Sequence, residues 1–291
     1  MTTRYASASI STPASPQVVD EPRARFRDLL ASEWTKLWSL RSIRWALLTT
    51  VLAILAMSAN AARSDVSNWP NYPADTKDHF VPLWSMGDAF PNNSSFILAL
   101  AAGSIGAIAI VGEYSSGMIR TTFAAVPARR AVLGAKVVVL TALMLAAGLV
   151  MAFGSFWISQ AILSSQHIGI SIGQPNALRC ILADAVFPAV CALIGLGLGA
   201  LIRHSATTMV MVTVVLLLLP TLLNSNLHQW VIDLHNATPV AAWQRLVFVL
   251  GPDMLGDPGY HPTLTGSVVV FLLWPLVAVL LPVLTVRHRD H

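Results

Sequence analysis

Six stretches of this chain carry no Asp, Glu, Lys or Arg: residues 45–62, 89–112, 137–178, 185–202, 204–232 and 258–286. Together they make up over half of the 291 residues. About 20 consecutive apolar residues cross a bilayer core as one helix, and charges are costly at that depth. Charged residues are 11% of the chain and hydrophobic ones 55%, with a mean hydropathy of +0.65. A soluble domain carries about 25% charged residues. Too few remain here to coat a surface in water, which argues against a soluble enzyme and excludes a disordered chain. The expected class is an all-α polytopic membrane protein.

Six spans are expected, near 45–62, 94–111, 137–158, 181–202, 207–223 and 265–286. The 18 basic residues test this number. With six spans they divide 14 to 4 between the two sides, and the basic side is the cytoplasmic one. Both termini then lie in the cytoplasm, with the chain multi-pass in the cell's inner membrane. The acids Asp65, Asp75, Asp78 and Asp88 of the first loop fall outside, as do Asp233, Asp253 and Asp257 of the fifth. The net charge of +4 is thereby assigned to orientation, not to nucleic acid. Around the 45–286 membrane domain the expected organisation is a mobile tail over 1–22, an amphipathic interfacial helix over 23–44 and a cytoplasmic tail over 287–291. Residues 1–22 are rich in Ser, Thr, Ala and Pro and hold no apolar run of the signal-peptide kind.

The fifth loop contains two helix-like stretches, HQWVIDLH and PVAAWQRLVFVL. They are expected on the outer interface, with Trp230 and Trp243 at headgroup level. Asp184, beside Arg179, reads as an interfacial ion pair near the outer end of span four. His228 and His235 lie seven apart without a metal-binding pattern and read as exposed. Cys180 and Cys191 read as packing residues. Gly195 and Gly199 form a G-x-x-x-G pair inside an apolar span, which suits close helix packing and not phosphate binding.

Between residues 23 and 40, Phe26, Leu29, Leu30, Trp34, Leu37 and Trp38 share one helical face, while Asp28, Ser32, Thr35, Lys36 and Ser39 lie on the other side. Glu33 breaks the pattern by falling inside the apolar stripe. Its expected partner is Lys36, three positions on. The alternative is a contact with the second loop or with another protein.

The second loop reads VGEYSSGMIRTTFAAVPARRAVLGAK, residues 111–136. It has a helix-like middle, a break at Gly117 and a stop at Pro127. On spacing alone it is a solvated inner loop, with Glu113 paired to a nearby base. The pattern GEYSSGMIRTTFAAVP…RR…AK resembles the first cytoplasmic loop of type-2 ABC exporter permeases, especially actinobacterial ones. SEWTKLWSLRSIRWALL, residues 32–48, resembles their approach to the first span. This resemblance implies a permease half that pairs with a second permease subunit, identical or homologous. It also implies separate ATP-binding subunits, which would carry the ATP and Mg, while this chain binds no cofactor of its own. Carried over, Glu113, Tyr114, Ser115, Ser116, Gly117, Arg120 and Thr121 form or flank the coupling helix that docks on the ATPase. Glu113 would accept hydrogen bonds from the ATPase or anchor the loop to a base such as Arg120. Glu33, Trp34 and Lys36 belong to the interfacial helix beside it.

The chain has no G-x-x-x-x-G-K-[ST] run, so ATP hydrolysis is expected on a partner. Rival readings are a secondary transporter, which needs paired ionisable groups at mid-membrane, an intramembrane enzyme, and a non-transporting scaffold or immunity protein. No catalytic or metal constellation stands out.

Overall fold

The computed structural model describes residues 25–78, 82–118, 121–122, 129–223, 228–248 and 263–288. Among them the regular structure is entirely helical, and six helices are long and apolar enough to cross a membrane. The expected N-terminal tail, Arg120, Pro127, Asp253 and Asp257 lie outside the described residues.

Helix α1 (Phe26–Ser39) begins at a reciprocal cap, in which the Arg25 amide donates to the Asp28 carboxylate at 3.1 Å and the Asp28 amide to the Arg25 carbonyl at 2.9 Å. An extended residue, Leu40, ends it and turns the chain into α2 (Arg41–Asn68). Two further long helices follow, α3 (Asn92–Ser115) and α4 (Arg129–Leu163). The next is α5 (Ala177–Ile202), followed by α6 (Ser205–Leu222), which contains a π turn at Val214–Leu218 just before Pro220. Two short amphipathic helices, α7 (Gln229–Asn236) and α8 (Pro239–Val247), precede α9 (Leu264–His288). The first loop is built from single helical turns at Trp69–Asn71, Ala74–Asp78, Pro82–Ser85 and Met86–Ala89. Each spanning helix overlaps one of the six charge-free stretches, and all except α6, which lies inside its stretch, run past at least one end of it. Charge gaps mark the apolar core, whereas a helix continues into the polar interface until a cap stops it.

Helix α5 is the axis of the bundle and packs against α3, α4, α8 and α9. Its apolar stretch is 78% buried, against 11% for that of α9. Small residues permit this. A side-chain carbon added at Gly195 would sit 1.9 Å from the Gly103 carbonyl oxygen, and one at Gly106 would sit 1.8 Å from that of Ala192. The backbones of α3 and α5 therefore touch, which is how apolar helices gain dispersion energy in a solvent as apolar as themselves. Helix α2 lies outside α4, joined to it by the Ser58 hydroxyl donating to the Ser155 carbonyl at 3.1 Å. At the far end from α1, Gln160 accepts from the Ile170 amide at 2.8 Å and donates to the Ser85 carbonyl at 3.3 Å. One buried amide thus fastens two loops to the end of α4.

Two expectations for the outer elements fail. Trp243 is not an interfacial residue: it is 1% exposed and stacks on Phe187 with ring centroids 5.0 Å apart. Trp230, at 65% exposure, does lie on the surface. Thr238, which caps α8 through the Ala241 amide, and Pro239 at its first turn aim the apolar face of α8 into the bundle. Asp184 is not an interfacial pair with Arg179. The two are five residues apart, about 140° around a helix of 3.6 residues per turn, and the buried Asp184 faces Trp243.

Candidate functional site: the base of the second loop

Three helices meet where the second loop leaves and rejoins the bundle. Helix α1 turns Leu29, Glu33 and Leu37 inward at four-residue spacing. Phe26, Trp34 and Trp38 remain exposed, and the two tryptophans form an edge-to-face pair at 5.6 Å. The apolar stripe read from the sequence is therefore split between the bundle and the surroundings. Glu33 lies on the inward half.

There it meets three other charges. Lys36 donates to Glu33 at 2.6 Å and to Glu113, in the last turn of α3, at 3.2 Å. Lys136, two turns into α4, donates to Glu33 Oε2 and to Glu113 Oε1, the latter at 2.9 Å. Its third donor reaches the Ala109 carbonyl at 3.3 Å. An ammonium has three protons, and all three of Lys136 are used. Two carboxylates and two ammoniums make the cluster neutral, which is the condition for burying charge at all. Burial pushes the Lys36 pKa down, but the two carboxylates outweigh this and hold it above 10.5.

Glu33 therefore has both partners the sequence offered: Lys36 on its own helix, and a base where the second loop ends. The bases that hold Glu113 are Lys36 and Lys136, while Arg120 lies outside the described residues. The structural part of Lys136 was hidden, since it counted only as one of the orientation charges. A signal was present. Lys136 is the last charge before the 42-residue gap, and Glu33 is an acid inside an apolar stripe. Two opposite charges displaced into apolar surfaces suggest that they meet.

The other loop residues are arranged around this anchor. The Ser115 and Ser116 hydroxyls both donate to the Gly112 carbonyl, at 3.1 and 2.8 Å, covering an acceptor at the end of α3. Gly117 then adopts φ +71°, a left-handed conformation that favours glycine, and ends the helix. Thr121 is exposed and bonds back to the Met118 carbonyl at 2.8 Å. Arg203, which the sequence reading counted only as a charge, lies 5.0 Å from the centre of the Tyr114 ring. It connects the second loop to the chain after α5. Trp34 points away from the cluster. Gly195 and Gly199 belong to the α3–α5 contact, where a side-chain carbon at Gly199 would lie 2.6 Å from Ile110.

Among the described residues, no group of three His, Cys, Asp or Glu side chains is placed to hold a metal ion. The His235 ring contacts the Pro220 carbonyl at 3.1 Å, and burial pulls its pKa down against that bond.

The family model of the ABC-2 family transporter proteins matches residues 37–287, nearly the whole helical bundle. The chain belongs to that family. It is accordingly an integral membrane component of an ABC transporter, a transport permease and not itself the catalytic part. No curated protein matches it, and no solved structure does.

Proposed function

We propose that this ABC-2 permease is one half of an exporter. It pairs with a second permease subunit, lies in the cytoplasmic membrane with both termini inside, and is driven by separate ATP-binding subunits docking on the 112–136 loop. The observation that supports the coupling role is the cluster of Glu33, Lys36, Glu113 and Lys136. The loop leaves from Glu113 and returns through Lys136, and both ends are tied to α1. A push on a loop with one rigid base moves α1, α3 and α4 together. The same push on separately hinged strands would dissipate locally. Moved as one body, the three helices would switch a pathway between two facings.

The exposed Ser116 and Thr121 are the docking side chains in this reading, and Glu113 positions them. Pull-down of an ATP-binding subunit of the ABC class with this permease tests the proposal. Purified permease alone is expected to show no ATP hydrolysis, and a complex with that subunit to show turnover that Ser116→Arg reduces. Turnover by the isolated chain, or full recovery of the ATPase with a loop-deleted permease, overturns it.

A further inference from the structure

Directly beside the ion cluster is a cavity of about 220 Å³. Its walls are Leu37 and Leu40 at the end of α1, Ile108, Ala109 and Gly112 of α3, and Met118 beyond. Ligand pockets for drug-sized molecules run from about 300 Å³ upward. This cavity is too small for a nucleotide, and its largely apolar walls suit a segment of apolar chain.

Lys36, Glu113 and Lys136 of the ion cluster also line the cavity, and the Lys36 side chain is 27% exposed. Its ammonium spends two protons on Glu33 and Glu113 and has a third to offer. Glu33 and Glu113 are neutralised by the two lysines, so the charge left over nearby is positive: Arg41 and Arg44, exposed on the first turn of α2, directly after the lining residues Ser39 and Leu40. Of the walls, Leu40 and Met118 are exposed, and on the outward face of α1 so are Trp34 and Trp38. An apolar slot, with exposed arginines in the turn that follows its lining residues and exposed tryptophans on the same short helix, fits the boundary between acyl chains and headgroups.

From this we infer that the cavity binds one anionic phospholipid of the leaflet in which α1 lies. An acyl chain enters between α1 and α3, and the phosphate meets Lys36. This rests on reading α1 as an interfacial helix and does not require an ATPase. A lipid there would wedge the junction of α1 and α3 beneath the second loop.

Gly112 gives a clean probe. It lines the cavity, and a side-chain carbon added there meets nothing within 4 Å, so Gly112→Leu has room for its first carbon and adds bulk at the cavity wall. The experiment is native mass spectrometry of the full chain, purified in detergent and titrated with phosphatidylglycerol or phosphatidylcholine. Wild type is expected to retain one phosphatidylglycerol at least tenfold better than phosphatidylcholine. Gly112→Leu is expected to lose that retention tenfold or more with its melting temperature unchanged or raised. Equal retention by wild type and Gly112→Leu overturns the site, and equal retention of the two lipids, which share the phosphate and differ in net headgroup charge, overturns the anionic preference. If Gly112→Leu keeps its lipid but no longer co-purifies with the ATP-binding subunit, a partner side chain occupies the cavity instead, and the lipid assignment falls. Because lipid retention is measured on the permease alone, failure of the coupling proposal leaves this result untouched.

Discussion

Lys136 of α4 donates to Glu33 of α1 from 103 positions further along the chain, and each side chain is only 2% exposed. Their contact joins α1 to the third span. Lys136→Met would leave two buried carboxylates facing one ammonium, that of Lys36. Removing one member of a buried ion pair costs about 3–5 kcal/mol, because the other is left uncompensated. Denaturation in detergent micelles is expected to show a loss of that order. Adding Glu33→Gln removes the orphaned charge, so the double variant should lose less than the sum of the two single changes. Strict additivity would mean that the two groups do not interact.

Glu113 accepts from both lysines through one oxygen, so its role is to hold the base of the loop. Glu113→Gln preserves shape and removes the charge. A charge-assisted hydrogen bond is worth about 1.5–3 kcal/mol, which corresponds to roughly a tenfold to hundredfold effect on docking if it is transmitted in full. Membrane insertion should be unaffected, while co-purification of the ATP-binding subunit and export both fall. Glu113→Ala should be at least as severe. Full transport and full ATPase recovery in both variants would place the anchor elsewhere.

Lys36 sets a pH window. Burial lowers its pKa, and the carboxylates of Glu33 and Glu113 more than restore it, so the net shift is upward from 10.5. A base that binds its proton more tightly when folded contributes fully below its unfolded pKa and loses that contribution as pH rises through the folded value. The stability difference between wild type and Lys36→Gln is therefore expected to stay flat from about pH 7 to 10 and to shrink only above about 10.5. Shrinkage between about pH 7 and 9 would mean that the carboxylates do not hold this ammonium.

The fold was legible because hydrocarbon imposes simple rules: each of the six charge-free stretches holds a long helix, and the Gly195–Gly199 pair forms a close contact between α5 and α3. The site was half legible. Glu33 stood out because an acid interrupts an apolar stripe, and Lys36 followed from helical spacing. Lys136 did not, because its position as the last charge before a long gap marks a charge at the edge of an apolar surface but not which distant helix supplies its partner. Trp243 was misplaced for a related reason. An amphipathic helix has the same signature whether its apolar face meets lipid or protein, and only the packing of Phe187 decides.

Orientation can be checked with single cysteines, since the native Cys180 and Cys191 are buried. Asp75 and Ser116 are both exposed and lie on loops at opposite ends of the α2–α3 pair. With both termini inside, an impermeant thiol reagent added to intact cells should label Asp75→Cys and spare Ser116→Cys. Permeabilised cells should label both. The reverse pattern in intact cells would invert the topology and move the coupling loop to the outer face.

Two glycines separate helix packing from helix propensity. At Gly195 an added carbon would sit 1.9 Å from the Gly103 carbonyl oxygen, which is backbone and cannot rotate away. Gly195→Ala must push α3 and α5 apart along the most buried contact of the bundle. Overpacking of this kind costs about 1–3 kcal/mol. Gly112 is in the same helix as Gly103 but has open space around it. There Ala removes only the conformational freedom of glycine, so Gly112→Ala should be neutral or stabilising by up to about 1 kcal/mol. Thermal melts of the two variants in the same detergent are expected to move in opposite directions, or Gly195→Ala alone to fall. Equal losses at the two positions would show that helix interiors here merely dislike change, and that α3 and α5 are not in backbone contact.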